Sequence, residues 1–210
     1  MKKIILILAV IILTGCTSID NISYDEIISE IVSSKYEIYN ENRSGYKYYT
    51  PCNISSNDTI DYNEILEDDS YRYYFYVDVV SYYNRVIESY EVDNNAFYSK
   101  AINYQDKFGY IEINEVSNNK YLLEIMYNYA KIEVIVDKYD LPKAISNSLI
   151  ILSSVKYNSE ILETIVGENI LTSKEIEFNI FETKKTESNF LEVEANNIYV
   201  EEENDPDLIN

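Results

Sequence analysis

Apolar residues recur along this chain in three patterns. One is continuous: after Met1-Lys2-Lys3, residues Ile4 to Leu13 are apolar without a break. The second has helical spacing. Tyr24, Ile28, Ile31, Lys35 and Tyr39, widened by Ile27, Val32 and Ile38, predict a helix over about 24–39. Ser23 stands where a cap is needed, with Glu26 three residues on to reach back, and the polar stretch 40–45 ends the helix. Ile145, Leu149, Leu152 and Val155 predict another helix near 141–156, with Asp140 at the cap and Pro142 in the first turn. A short helix over 160–166, closed by Gly167, follows.

The third pattern is alternation, which marks half-buried strands. Tyr46 to Thr50 reads as a short strand ended by Pro51. Residues 52–70 are polar and acidic and read as a loop, with a helical turn near Tyr62 to Leu66. Tyr71 to Tyr83 is aromatic and β-branched, which predicts one long strand or two joined by a bend. Positions 73, 75, 77, 79 and 83 would then face the core, and Tyr74, Tyr76 and Tyr82 would share the other face with Asp78. A connecting segment runs through Glu91 to Asn95. Tyr110–Val116, Tyr121–Tyr127 and Ala130–Val136 form a meander, joined by a hairpin turn over 117–120 and a bend at Asn128-Tyr129. Ile176–Phe181 alternates again, with Phe190–Val193 as a partner, and residues 196–210 read as an acidic, disordered tail. The whole predicts a single α+β domain over 23–195, an antiparallel sheet flanked by the N-terminal helix and the helix near 141–156.

The order helix, strand, loop, strands, hairpin, strand, helix resembles the PsbP-like α-β-α sandwich family over about residues 24–156. The likeness is carried by Gly45-Tyr46-Lys47-Tyr48-Tyr49-Thr50-Pro51, by the strand pair Gly109–Val116 and Lys120–Val136, and by the helix end Ile150-Ile151-Leu152-Ser153-Ser154-Val155. The family's usual tryptophan near the first proline is absent, since the chain has none. The resemblance implies a scaffold and no chemistry; bacterial members are often secreted lipoproteins, and many are not enzymes.

The first pattern carries an address. Ten apolar residues behind two lysines suit a signal-peptide core and are too few to span a bilayer. Leu13-Thr14-Gly15-Cys16 follows directly and resembles the lipobox of bacterial lipoproteins. That resemblance implies removal of residues 1–15, a diacylglycerol on Cys16 as the one covalent cofactor, a tether over 16–22, and a place outside a bacterial cytoplasmic membrane. An ordinary signal peptide with a chance cysteine is the alternative.

Charge and composition narrow the chemistry. Seventeen basic residues stand against 37 acidic ones, a formal charge of −20. Loss of Lys2 and Lys3 with a leader would take this to about −22, with 15 basic residues left. So acidic a surface repels nucleic acid and anionic headgroups and favours solubility or cationic partners. There is no histidine, which excludes Ser-His-Asp and Cys-His catalysis. With Cys16 acylated, Cys52 is a lone thiol, so the fold rests on its core. The abundance of Tyr, Asn, Ile, Lys and Glu matches AT-rich codons.

Two clusters invite a functional reading. The acidic run Asp58, Asp61, Glu64, Glu67, Asp68, Asp69 lacks the order and glycine of an EF-hand and reads as a solvated loop; no metal site is expected. The run 71–83 offers Tyr74, Tyr76, Tyr82 and Arg72 as a candidate binding surface, with a buried second layer as the alternative. The expectation is a membrane-anchored module that binds an envelope protein or cell-wall ligand or serves as envelope structure. The alternative is a hydrolase of cell-wall or exported polymers using paired carboxylates.

Overall fold

The computed structural model describes residues 22–87 and 89–167. The leader with Cys16, the expected strands at 176–181 and 190–193, and the tail lie outside the described residues. Helix α1 (Tyr24–Ser33) starts as expected: Ser23 Oγ accepts the Glu26 N–H at 3.3 Å, and Glu26 accepts the Ser23 N–H at 3.0 Å. Ten strands follow: β1 (Glu41–Arg43), β2 (Tyr46–Tyr48), β3 (Ser55–Ile60), β4 (Asn63–Glu67), β5 (Arg72–Val77), β6 (Tyr98–Tyr104), β7 (Lys107–Ser117), β8 (Lys120–Tyr127), β9 (Ala130–Asp137) and β10 (Lys156–Tyr157). Three further helices are α2 (Val79–Asn84), α3 (Leu141–Ser154) and α4 (Ser159–Gly167). The fold is α+β, with both sheets antiparallel.

Seven strands form one sheet in the order β3-β4-β5-β9-β8-β7-β6, and three form a small sheet, β1-β2-β10. One face of the large sheet is apolar: Phe75, Ile111, Ile113, Leu123, Ile125, Ile132 and Val134 are fully or almost fully buried. Each such side chain contributes roughly 1.5–3 kcal/mol. Helices α1 and α3 pack on this face and on each other, and the small sheet joins them there through Tyr46 and Tyr48. The opposite face carries the alternate residues. Strand register puts Glu112, Glu124, Glu133 and Tyr74 in one row, and Tyr110, Met126, Lys131 and Tyr76 in the next.

Several elements differ from expectation for local reasons. Helix α1 stops at Ser33, short of residue 39. The Ser33 and Ser34 hydroxyls donate to the Glu30 carbonyl, and Ser34 turns extended. The loop expected at 52–70 is the hairpin β3–β4, with Tyr62 in its turn and residues 63–66 in β4 rather than a helical turn. Strand β3 is polar because it is an exposed edge, so apolar alternation never marks it. The long strand expected at 71–83 ends at Val77. Asp78 accepts the Ser81 N–H at 2.7 Å and caps α2, so the chain leaves the sheet despite its β-branched and aromatic composition. Strand β6 was not expected at all. The hairpin at Asn118-Asn119, the bend at Asn128-Tyr129 and α3 stand where the pattern places them.

Candidate functional site

The turn between β4 and β5 is shaped by one carboxylate. Asp68 Oδ1 accepts the N–H groups of Ser70 and Tyr71 at 2.9 and 2.8 Å. Its other oxygen accepts the Tyr73 hydroxyl at 3.2 Å and meets Lys143 Nζ at 3.2 Å. Burial pushes the Asp68 carboxyl up, but these donors outweigh it and hold it below the ordinary carboxylate range. The turn presents Tyr71, Arg72 and Tyr74 beside Lys120 at the start of β8 and Ile135 near the end of β9. Together they rim an open groove of about 570 Å³ on the sheet face away from α1 and α3.

Several charges in and around this groove are paired. Arg72 Nε bonds Glu67 and lowers that carboxyl's pKa. Lys120 Nζ lies 2.9 Å from Asp137 and 5.9 Å from the centre of the Tyr71 ring. The Tyr71 hydroxyl donates to Asp140 at 2.6 Å and to Asp137 at 3.2 Å. Burial, then the Asp140 carboxylate, pushes this phenol up to about 12, so it remains a neutral donor at physiological pH. The result is two aromatic rings flanked by fixed donors and acceptors, an arrangement suited to holding a ligand.

Of the expected surface, Arg72 and Tyr74 line the groove. Tyr76 shares the face of Tyr74 but is buried beside Lys131. Tyr82 does not share that face, because it stands on α2. Its ring stacks on Tyr157 at 3.8 Å and meets Tyr129 edge-on at 5.6 Å, with Arg85 4.7 Å from its centre. It fastens α2 to β10 and the β8–β9 turn. Lys120, Ile135 and Asp137 reach the groove region from strand ends, and Asp140 from the turn before α3, all distant in sequence; the only local signal was the turn expected at 117–120.

No protein-family model matches this chain, and no curated protein matches it. Among the described residues, no group of three or more potential metal-ligating side chains converges, and no helix is long and apolar enough to cross a membrane. Cys52 is exposed after Pro51. A second cavity, about 40 Å³, lies among Val86, Phe108, Tyr110, Met126 and Tyr129 and has room for little more than water.

Proposed function

We propose that this chain is a lipid-anchored extracytoplasmic bacterial protein, held by a diacylglycerol on Cys16, with a PsbP-like sandwich as its scaffold. Its domain is a non-enzymatic binding module that takes a cell-wall polymer in the groove beside Tyr71, Arg72 and Tyr74. The lipobox at 13–16 supports the anchor. The groove is the observation that carries the binding reading. Arg72, Lys120, Glu67 and Asp68 are already paired, which leaves the rings of Tyr71 and Tyr74 to meet a hydroxyl-rich ligand. Cosedimentation of the domain with purified cell wall tests this. Tyr74→Ala should weaken binding at least about tenfold, as loss of an aromatic anchor does. Equal binding by Tyr74→Ala and Arg72→Ala would remove the groove from the function. For the anchor, cells are labelled with a radioactive fatty acid. Label on the wild type but not on Cys16→Ser is expected, and equal labelling would sink the claim.

Glu67, Asp68 and Asp69 along the same groove favour a second reading, polymer hydrolysis by paired carboxylates. Glu67 is held by Arg72, and Asp68 by two backbone N–H groups and Lys143, so neither carboxylate stands ready to act as a general acid. Binding is therefore the better reading. Release of soluble wall fragments by wild type, abolished in Glu67→Gln, would establish hydrolysis instead.

A further inference from the structure

We propose that the domain sits directly on the bilayer through Phe97, Val116, Lys138 and Tyr139, with the groove beside the membrane surface. This rests on the anchor at Cys16. The tether enters the domain at Ser23. There the Tyr24 ring meets the Tyr98 ring edge-on at 5.3 Å, and the Asp25 carboxylate accepts the Tyr98 hydroxyl at 3.1 Å. Phe97 is the next residue along, and its ring packs on Tyr121 at 4.8 Å. Lys138 Nζ stands 4.9 Å from the Phe97 ring centre and 5.8 Å from that of Tyr121. The Lys138 N–H donates to the Asn119 carbonyl at 3.2 Å, which brings the β7–β8 turn to the same end. Phe97, Val116 and Tyr139 are 44%, 48% and 72% exposed, large apolar side chains on a strongly acidic chain.

The length of the tether says what covers them. Cys16 to Ser23 spans at most about 25 Å when fully extended. Strand β7 alone, 11 residues, runs about 37 Å. A lipid on Cys16 therefore keeps the end with Ser23 and Phe97 within about 25 Å of the bilayer, whereas the opposite end of β7 lies farther from the anchor than the tether is long. Side-chain chemistry agrees: aromatic rings settle at headgroup level, and a lysine beside them keeps its ammonium in water. The nearby carboxylates Asp25 and Asp137 are paired with Lys100 and Lys120, while Glu26 is held in the α1 cap and Glu115 faces solvent. Lys138 makes no ion pair among the described residues. Lys120 also borders the groove, so seating this end brings the groove to the membrane surface.

The chain has no tryptophan, so a single introduced one reports its own depth. The mature chain carrying Cys52→Ser is coupled through Cys16 to a maleimide lipid in zwitterionic phosphatidylcholine vesicles containing brominated chains. Phe97→Trp should be quenched severalfold more than Ile60→Trp, which sits at the far end of the exposed edge strand β3, and only its emission should shift to the blue. Val116→Asp with Tyr139→Asp should abolish that quenching while leaving the circular dichroism unchanged. Equal or absent quenching on these protein-free vesicles overturns the proposal and leaves the patch to a protein partner. Because the coupling is chemical, the readout is independent of acylation in cells. Fatty-acid label on Cys16 without quenching defeats the orientation alone, whereas absent label defeats the anchor itself.

Discussion

Glu64 is a buried carboxylate whose isolation should be costly. Its side chain is fully buried between β4 and the small sheet. Arg43 Nη2 bonds it at 2.6 Å, the Tyr48 hydroxyl at 2.6 Å and the Tyr46 hydroxyl at 3.0 Å, with Ser56 Oγ at 3.3 Å. Arg43→Ala strips from a buried anion the one cation paired with it among the described residues. Breaking such a pair costs about 3–5 kcal/mol, and the lower end applies because Arg43 is itself 20% exposed and two phenols remain. With a urea m-value of about 2 kcal/mol/M, a loss of about 3 kcal/mol moves the unfolding midpoint down by about 1.5 M. Glu64→Gln keeps the shape but turns charge-assisted bonds into neutral ones, a loss of about 1–2 kcal/mol. In the double variant the arginine is no longer needed, so the two losses should fall short of their sum by at least about 1 kcal/mol. Urea titrations of the four proteins, followed by circular dichroism, decide the matter. Additive losses within about 0.5 kcal/mol, or a midpoint unmoved by Arg43→Ala, would refute the clasp.

Three other perturbations follow from local geometry. Burial, ahead of any other cause, raises the phenols of Tyr46, Tyr48, Tyr73 and Tyr98 above their ordinary value and takes Tyr90 and Tyr127 to about 12. The unfolded chain ionises near pH 10, so this stability is present below about 10 and lost as pH climbs toward 12 and beyond. Tyrosinate absorbance and circular dichroism should change together, and a phenol titration near 10 with the fold intact would contradict this. Gly109→Ala places a Cβ 1.9 Å from the Met126 carbonyl oxygen across the β7–β8 pair, so a loss of about 3 kcal/mol or more is expected in the same urea assay. Gln105 holds a left-handed φ of 54° in the β6–β7 turn, and Gln105→Gly should relieve that strain and stabilise by up to about 1 kcal/mol; a lower midpoint would argue against it.

What was legible in the sequence was local. The Ser23–Glu26 cap, the turn at 117–120 and the Pro142 start of α3 are each specified within a few residues, and each stands where its pattern puts it. Strands β3 and β6 were invisible for a shared reason: each lies at a sheet edge, where few side chains are buried and alternation carries no signal. The groove was half legible. Arg72 and Tyr74 follow from an aromatic run on a strand, but Lys120 and Ile135 reach them only because β5 pairs with β9 and β9 with β8. That order depends on contacts far apart in sequence. Tyr82 was misplaced because a single aspartate cap outweighed a long run of strand-forming residues.

The tyrosines acquire a second meaning from these contacts. Glu112, Glu124 and Glu133 stand directly opposite one another on β7, β8 and β9, a placement that repels. Tyr90 donates to Glu112 at 2.6 Å, Tyr110 donates to Glu124, and Lys131 Nζ lies 3.1 Å from Glu133. Elsewhere Tyr46 and Tyr48 serve Glu64, Tyr71 serves Asp137 and Asp140, Tyr73 serves Asp68, and Tyr98 serves Asp25. With 37 carboxylates and 17 cations, this chain cannot answer every acid with a base. A phenol gives a carboxylate a strong hydrogen bond, brings a large apolar ring into the fold, and adds no charge. Tyrosine thus takes over much of the work that arginine and lysine do in better balanced proteins. It follows that an abundance of tyrosine does not by itself mark a binding surface here. Tyr74 is proposed for that role because it borders an open groove.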